Sequence, residues 1–246
     1  MGFFYQWLKK EEFCPSHLGM FVNSSFLIRR ALGEAIYKHR GEMRGKMLDF
    51  GCGTAPYRSL FQIETYLGLE IAAPGHPLKH THSTLLYSGD TIPLQDESVD
   101  SILMTEVLEH VFNPAELLAE FRRILRPGGV ALITCPFVWP LHEEPYDYAR
   151  YTPFALTHLV KSSGLEVKCM EKTGTWFLSV AQLLLTYAVQ TLLPSQGRLH
   201  RMGKIVWCAI VNPLALALNL IMPRNERLYF SNILVVRKPT LAPQPA

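Results

Sequence analysis

The residues able to do chemistry gather in two stretches of this 246-residue chain. In the first, MLDFGCGTAPY from Met47 to Tyr57, an apolar strand runs into Asp49, Gly51, Cys52 and Gly53. Glycines at a strand end let the backbone turn sharply and approach a ligand, although a plain βα turn uses the same pattern. About 20 residues on, the run TYLGLEI ends at Glu70, whose carboxylate could accept hydrogen bonds from both hydroxyls of a ribose or simply be a solvated strand-end charge. Ser88-Gly89-Asp90-Thr91 follows, and then SILMTEVLEHV, with Glu106, Glu109 and His110. For the Glu109–His110 pair, a structural role weighs at least as much as a catalytic one.

The second stretch, FVWPLHEEPYDYARYT from Phe137 to Thr152, combines aromatics with His142, Glu143, Tyr146, Asp147 and Arg150. It leaves the carboxyl end of an apolar strand, the edge where parallel α/β sheets bind ligands. His142 or Glu143 is the candidate general base, and Tyr146, Asp147 and Arg150 would position an acceptor. The competing reading is a structural Asp147–Arg150 pair among packed tyrosines. His76, His80 and His82 come close to metal-ligand spacing, but no cysteine or carboxylate cluster supports them, so a solvated loop and no metal site are expected.

The elements around these stretches predict an α/β protein. Short apolar runs (KMLDFG, TYLGLEI, SILMTE, VALITCP, LEVKCME and SNILVVRK) alternate with helical patterns, as in a mostly parallel sheet with helices on both faces. One helix should start at Asn113 as N-cap, with Pro114 first in the helix and Glu116 at capping-box spacing. Leu117, Leu118, Phe121, Ile124 and Leu125 form its apolar face, Arg122, Arg123 and Arg126 lie toward its end, and Pro127-Gly128-Gly129 stops it. A second helix should run from Thr152-Pro153 to before Gly164. Residues 1–44 read as a helical N-terminal cap, 45–239 as the α/β domain and 240–246 as a flexible tail.

Taken in order, LDFGCGTAPY, LGLEI, GDTIPLQDESVDSILMTEVLEHV and ELLAEFRRILRPGGVALITCP resemble the cofactor-binding half of class I S-adenosylmethionine-dependent methyltransferases, in the type 11 group. The resemblance implies a Rossmann-like fold of seven strands, with the last strand, around 230–237, antiparallel. It implies that Asp49, Gly51 and Gly53 line the amino-acid part of S-adenosyl-L-methionine. Glu70 would bind the ribose, Asp90 and Thr91 would lie by the adenine, and Glu106 would lie near the sulfur. The usual third glycine of the loop is Ala55 here, followed by Pro56. A nicotinamide dinucleotide site wants a small residue at that last position, so Pro56 weighs against an oxidoreductase. The spacing Pro145-x-Asp147-x-x-Arg150-x-Thr152 is similar to one in methyltransferases of surface polysaccharide synthesis. The expected activity is methyl transfer to a small-molecule, glycan or lipid-linked acceptor. The rival from another class is a non-catalytic membrane-associated binding protein that keeps the fold.

Composition narrows the setting. The chain is 48% hydrophobic and 18% charged with a net charge of +3, which suits a packed protein and gives no basic block for nucleic acid. Five separated cysteines with no CxxC fit reduced thiols in the cytoplasm. The first residues do not read as a signal peptide, because their charges follow the apolar part. Two uncharged stretches, 176–193 and 205–222, flank Arg198, His200, Arg201 and Lys204. They predict an inserted helical hairpin within 176–223, either dipping into the inner face of a membrane or forming an active-site cover or homodimer surface. Ser179, Gln182, Thr186 and Gln190 would make a polar seam on its first helix, and Pro213 would kink its second.

Overall fold

The structure, a computed structural model, describes residues 11–71, 82–89 and 91–240. Its strands are β1 Lys46–Phe50, β2 Thr65–Ile71, β3 Leu85–Tyr87, β4 Val99–Thr105, β5 Leu125–Pro136, β6 Glu166–Lys172 and β7 Ser231–Arg237. The α-helices are α1 Phe26–His39, α2 Pro114–Ile124, α3 Pro153–Ser162, α4 Trp176–Tyr187 and α5 Arg198–Asn219. The strands form one sheet in the order β3-β2-β1-β4-β5-β7-β6. β1 pairs in parallel with β2 and β4, β2 with β3, and β4 with β5. β7 runs antiparallel to β5: Gly128 N donates to Lys238 O (2.9 Å) at one end and Phe137 N to Phe230 O (2.7 Å) at the other. This is the seven-stranded, mostly parallel α/β sheet that the sequence predicts.

Burial explains the strand sequences. Central strands are covered on both faces and read as apolar runs, as MLDF of β1 and SILM of β4 do. The edge strand β6, EVKCMEK, keeps Glu166, Lys168 and Lys172 toward water. Asn113 departs from the expected capping box. Its side chain caps no backbone N–H, and its Nδ2 donates to Glu116 Oε2 at 3.2 Å. Helix α2 buries Leu117, Leu118, Phe121 and Ile124 as expected but ends at Ile124. Leu125 and Arg126 open β5 instead, because Leu125 pairs with Val99 across a register shift in the β4–β5 ladder. Helix α3 has the expected start, with Thr152 Oγ1 accepting from Ala155 N at 3.2 Å.

The chain folds as two compact units. One spans Ile36–Pro136, Pro140–Glu171 and the chain from Asn232, and holds the sheet core. In it the Phe50 ring meets Tyr87 and Phe121 edge-on, each at 5.4 Å between centroids, which anchors the carboxyl end of β1.

The other unit comprises the chain to Ala35, Phe137–Trp139 and Lys172–Ser231. Its small core joins Phe26, Leu27 and Ile28 to Ala215 and Phe230. Helix α4 continues as a π-helical turn, Ala188–Leu192, and α5 is continuous through Pro213. Arg198, His200, Arg201 and Lys204 lie in the first turns of α5 rather than in a connector. The polar seam of α4 faces inward: Ser179, Gln182 and Thr186 are buried, while Gln190 in the π turn is exposed. Gln182 Nε2 donates to Ser24 O (2.6 Å), and Asn212 Nδ2 of α5 donates to Met20 O (2.7 Å).

Candidate active site

The glycine loop follows β1, whose apolar register against β2 sets Asp49 opposite Gly68. Gly51 holds φ +71°, and a Cβ there would come within 2.5 Å of Val107 Cγ2. Gly53 holds φ +47° with open space where its Cβ would stand, which lets a ligand meet bare backbone. Ala55 takes a third left-handed position, φ 49°, at a cost of roughly 1 kcal/mol that glycine would not bear. Glu70 at the end of β2 closes the loop. Its Oε2 accepts from Gly53 N at 2.9 Å and its Oε1 from Ile71 N at 3.2 Å. Each oxygen keeps a lone pair, so two hydroxyls could still be bound.

Asp49 is buried beneath this loop, and Tyr66 OH donates to its Oδ2 at 2.7 Å. Burial pushes its carboxyl up to about 6, with the Tyr66 hydrogen bond opposing and the Glu70 charge adding. A buried carboxylate in this position favours a cationic ligand. Glu106 follows β4 with φ 53°, a strained conformation of a kind that gathers at functional sites. Thr134 of β5 holds it: Glu106 N donates to Thr134 O (3.1 Å), and Thr134 Oγ1 donates to Glu106 Oε1 (2.9 Å). Thr91 is exposed in the segment after β3. Asp90, His76 and His80 lie outside the described residues.

The loop 140–152 that joins β5 to α3 brings the second group together. Asp147, only 2% exposed, receives both terminal nitrogens of Arg150. That guanidinium holds the Asp147 carboxyl down at about 2. Asp147 Oδ2 also accepts from His142 N at 3.1 Å and lies 3.2 Å from His142 Nδ1. The expected structural pair is therefore formed, and it also carries the imidazole. Burial and the neighbouring His110 lower the His142 pKa, so its ring is neutral at pH 7. His110 Nδ1 faces Tyr146 O at 3.0 Å, and the His110 and His142 Nε2 atoms stand 3.1 Å apart. Glu109 lies beside them fully buried, with neither carboxylate oxygen hydrogen-bonded. Burial, reinforced by the Glu106 charge, pushes its carboxyl well above the usual range. Tyr66, Thr134 and the Glu109 environment escaped the sequence reading, because strand register and loop packing set them. The alternation within TYLGLEI was the one signal for Tyr66.

Residues 48–133 match the family described as Methyltransferase domain. The ubiquinone biosynthesis O-methyltransferase of Dinoroseobacter shibae is 26% identical over 230 residues, covering 77% of this chain and 91% of that one. An uncharacterized protein of Methanocaldococcus jannaschii is 30% identical over 124 residues, covering 48% of this chain and 58% of its own, and a mycobacterial uncharacterized methyltransferase, from Mycobacterium ulcerans, is 37% identical over 97 residues, covering 36% and 38%. The chain thus spans between about two fifths and three fifths of those two relatives' length. Among solved structures, a chain of the complex between the Haloferax volcanii Trm112 methyltransferase activator and a methyltransferase superposes with a TM-score of 0.55, at 18% identity and 86% and 90% coverage. Haemonchus contortus phosphoethanolamine N-methyltransferase 2, bound to phosphomonomethylethanolamine and S-adenosylhomocysteine, superposes at 0.53, with 18% identity and 98% and 61% coverage. Residues 48–133 thus carry a methyltransferase domain, and the chain has the fold of solved methyltransferases, among them one bound to S-adenosyl-L-methionine. The chain's glycine loop, Glu70 and buried Asp49 fit that cofactor's polar groups.

Proposed function

We propose that the chain transfers a methyl group from S-adenosyl-L-methionine to a hydroxyl oxygen of a small or lipid-linked acceptor, glycans included. The observation that carries this is the loop Gly51–Gly53 clamped by Glu70 over the buried Asp49. In this reading Gly51 and Gly53 admit the cofactor's amino-acid part, Asp49 faces its ammonium, Glu70 takes its ribose hydroxyls, and Glu106 lies toward the sulfonium. Asp90 and Thr91 are assigned to the adenine on the family pattern alone. S-adenosylmethionine supplies an activated methyl group. The chain's part is to align the acceptor, exclude water and take up a proton.

Tyr146, Asp147 and Arg150 build the acceptor loop, with the Asp147–Arg150 pair holding His142 in place. The acceptor proton goes to the His142–Glu143 side, where His142 is neutral and Glu143 is half exposed. Oxygen as the atom methylated draws support from the relative named as an O-methyltransferase, which shares most of its length with this chain. Methyl-labelled cofactor, incubated with the protein and hydroxylated acceptors including lipid-linked sugars, should label a product. Glu70→Ala should abolish that label, and equal turnover by that variant would contradict the assignment.

A membrane-surface location is favoured by the helical unit. Its hairpin is inverted for a protein in water: polar Gln182 and Asn212 are buried, while Leu199, Met202, Ile205, Val206, Ile210 and Leu214 are exposed. Helix α5 is long and apolar enough to cross a membrane, yet only 17% of its apolar window is buried. Arg198, Arg201 and Lys204 occupy the first turns of α5, where the helix dipole disfavours cations and lipid phosphates would offset that cost. In this reading the protein lies on the inner face of the cytoplasmic membrane with the hairpin immersed. A homodimer through the same face is the competing arrangement. Flotation with anionic phosphatidylglycerol vesicles separates the two: immersion carries the protein to the vesicle fraction, and a stable dimer leaves it below.

A further inference from the structure

The loop cluster around Glu109 brings two imidazoles against a buried carboxylate. His110 Nδ1 faces the Tyr146 carbonyl oxygen at 3.0 Å. His142 Nδ1 faces the Pro140 carbonyl oxygen at 3.3 Å and Asp147 Oδ2 at 3.2 Å. Carbonyl and carboxylate oxygens only accept, so both rings carry their proton on Nδ1. In the neutral form of each ring the Nε2 atom presents its lone pair, and the two Nε2 atoms face each other across 3.1 Å. Glu109 Oε1 is 3.7 Å from His110 Nε2 and 3.8 Å from His142 Nε2. Its carboxylate is fully buried, and neither oxygen has a hydrogen-bond partner. Three electron-rich atoms thus converge on one point, within 4.8 Å of one another. Buried like this, they repel one another unless a proton or a metal cation sits between them.

We infer that Glu109, His110 and His142 bind one divalent first-row transition metal ion of the zinc type. Two neutral imidazoles and one carboxylate make a nitrogen-rich donor set, which suits zinc or its neighbours better than magnesium or calcium. The outer contacts are those of a metal centre. Each ligating imidazole is fixed in tautomer and orientation by an oxygen on its other nitrogen, and Arg150 in turn holds Asp147. Glu143, with Oε2 at 3.8 Å from His110 Nε2, stands at the rim with its side chain 49% exposed. The described residues contain a second grouping of this kind, His39, Cys169 and Glu171, and it lacks the defining feature. There Lys38 Nζ already donates to Glu171 at 2.6 Å, so a cation is in place.

The catalytic consequence rests on the proposed O-methyl transfer. The ion holds the acceptor hydroxyl and lowers its pKa, and Glu143 takes the proton. The oxygen lone pair forms the new bond to the methyl carbon while the carbon–sulfur bond breaks, its electrons staying on sulfur. S-adenosylhomocysteine and the methyl ether result.

Metal binding is tested without turnover. The full chain, stripped with a chelator, is titrated with Zn²⁺ by calorimetry and with Co²⁺ by visible absorption, and S-adenosylmethionine binding is measured on each variant as a check of fold and cofactor site. The expected result is one equivalent of either ion, with cobalt d–d bands from the nitrogen and oxygen donors. Glu109→Gln and His142→Ala should each weaken zinc binding at least about 100-fold, and Asp147→Asn about 10-fold, through the outer contact. His158→Ala, on an exposed position of α3, should bind as wild type. No stoichiometric ion on the wild-type chain, or undiminished binding by Glu109→Gln that still binds S-adenosylmethionine, overturns the site. A chain that binds zinc but no S-adenosylmethionine would keep the metal site and refute the proposed function instead.

Discussion

Asp49 is the residue where burial and the proposed cofactor site meet. Its carboxyl is pushed up to about 6 from an ordinary 3.8, so the folded chain binds this proton more tightly than the unfolded one. Stability therefore falls as pH rises from about 4 to about 6, by on the order of 2 kcal/mol. Urea unfolding at pH 4.5 and 7.5 should show that loss in wild type and a smaller one in Asp49→Asn. Cofactor affinity runs the other way. If Asp49 faces the cofactor ammonium, the affinity should drop as pH falls below about 6, up to tenfold for each further pH unit, and Asp49→Asn should be weak and flat. A wild-type affinity unchanged between pH 5 and 7 would remove Asp49 from the site. Ala55 gives a second residue-scale expectation: Ala55→Gly relieves the left-handed backbone and should raise stability by about 0.5–1 kcal/mol at unchanged cofactor affinity. Asp49, Gly51, Gly53 and Glu70 were legible because each sits at a strand end or in a tight turn that the local sequence spells out. Tyr66 and Thr134 were not, since nothing local says which hydroxyl a parallel register will bring to which carboxylate.

At the scale of elements, the sequence speaks clearly where burial is periodic and poorly where neighbouring elements compete. All the long strands and the α2 and α3 helices follow from apolar spacing and Pro or Thr at the helix starts. The α2–β5 boundary does not, because Leu125 fits a helical face as well as it fits the ladder beside Val99, and the ladder wins. The loop 140–152 is also out of reach of periodicity. Its order comes from Arg150 gripping Asp147, which in turn carries His142. Arg150→Ala leaves that carboxylate with the His142 contacts alone, and should cost about 2 kcal/mol at pH 7. The Asp147 carboxyl is depressed to about 2 in the folded chain, so the contribution is present above the ordinary 3.8 and lost as pH falls toward 2. Chemical unfolding of wild type and variant should therefore converge in acid, and a gap that persists at pH 2 would speak against the pair as its source.

For the whole molecule, the two uncharged stretches were visible in the sequence, but which of their faces would be buried was not. The polar seam of α4 turns inward because Gln182 and Asn212 find the backbone carbonyls of Ser24 and Met20. That leaves the apolar side of both helices outward. If lipid covers it, replacing Ile205 and Ile210 with Asp should cut binding to anionic vesicles more than tenfold, since a buried charge in that layer costs a few kcal/mol. Raising the salt should weaken the contribution of Arg198, Arg201 and Lys204 without abolishing the apolar part. Vesicle binding that salt removes completely would point to charge alone.

The most direct measurement is calorimetric titration of the purified chain with S-adenosylmethionine, in detergent, with NADH as a parallel control and Gly51→Val and Glu70→Ala alongside. The account predicts saturable binding of S-adenosylmethionine alone, lost in both variants: in the first because a side chain at Gly51 meets Val107, in the second because the loop loses its clamp. Binding of NADH, or S-adenosylmethionine affinity unchanged in either variant, would contradict it.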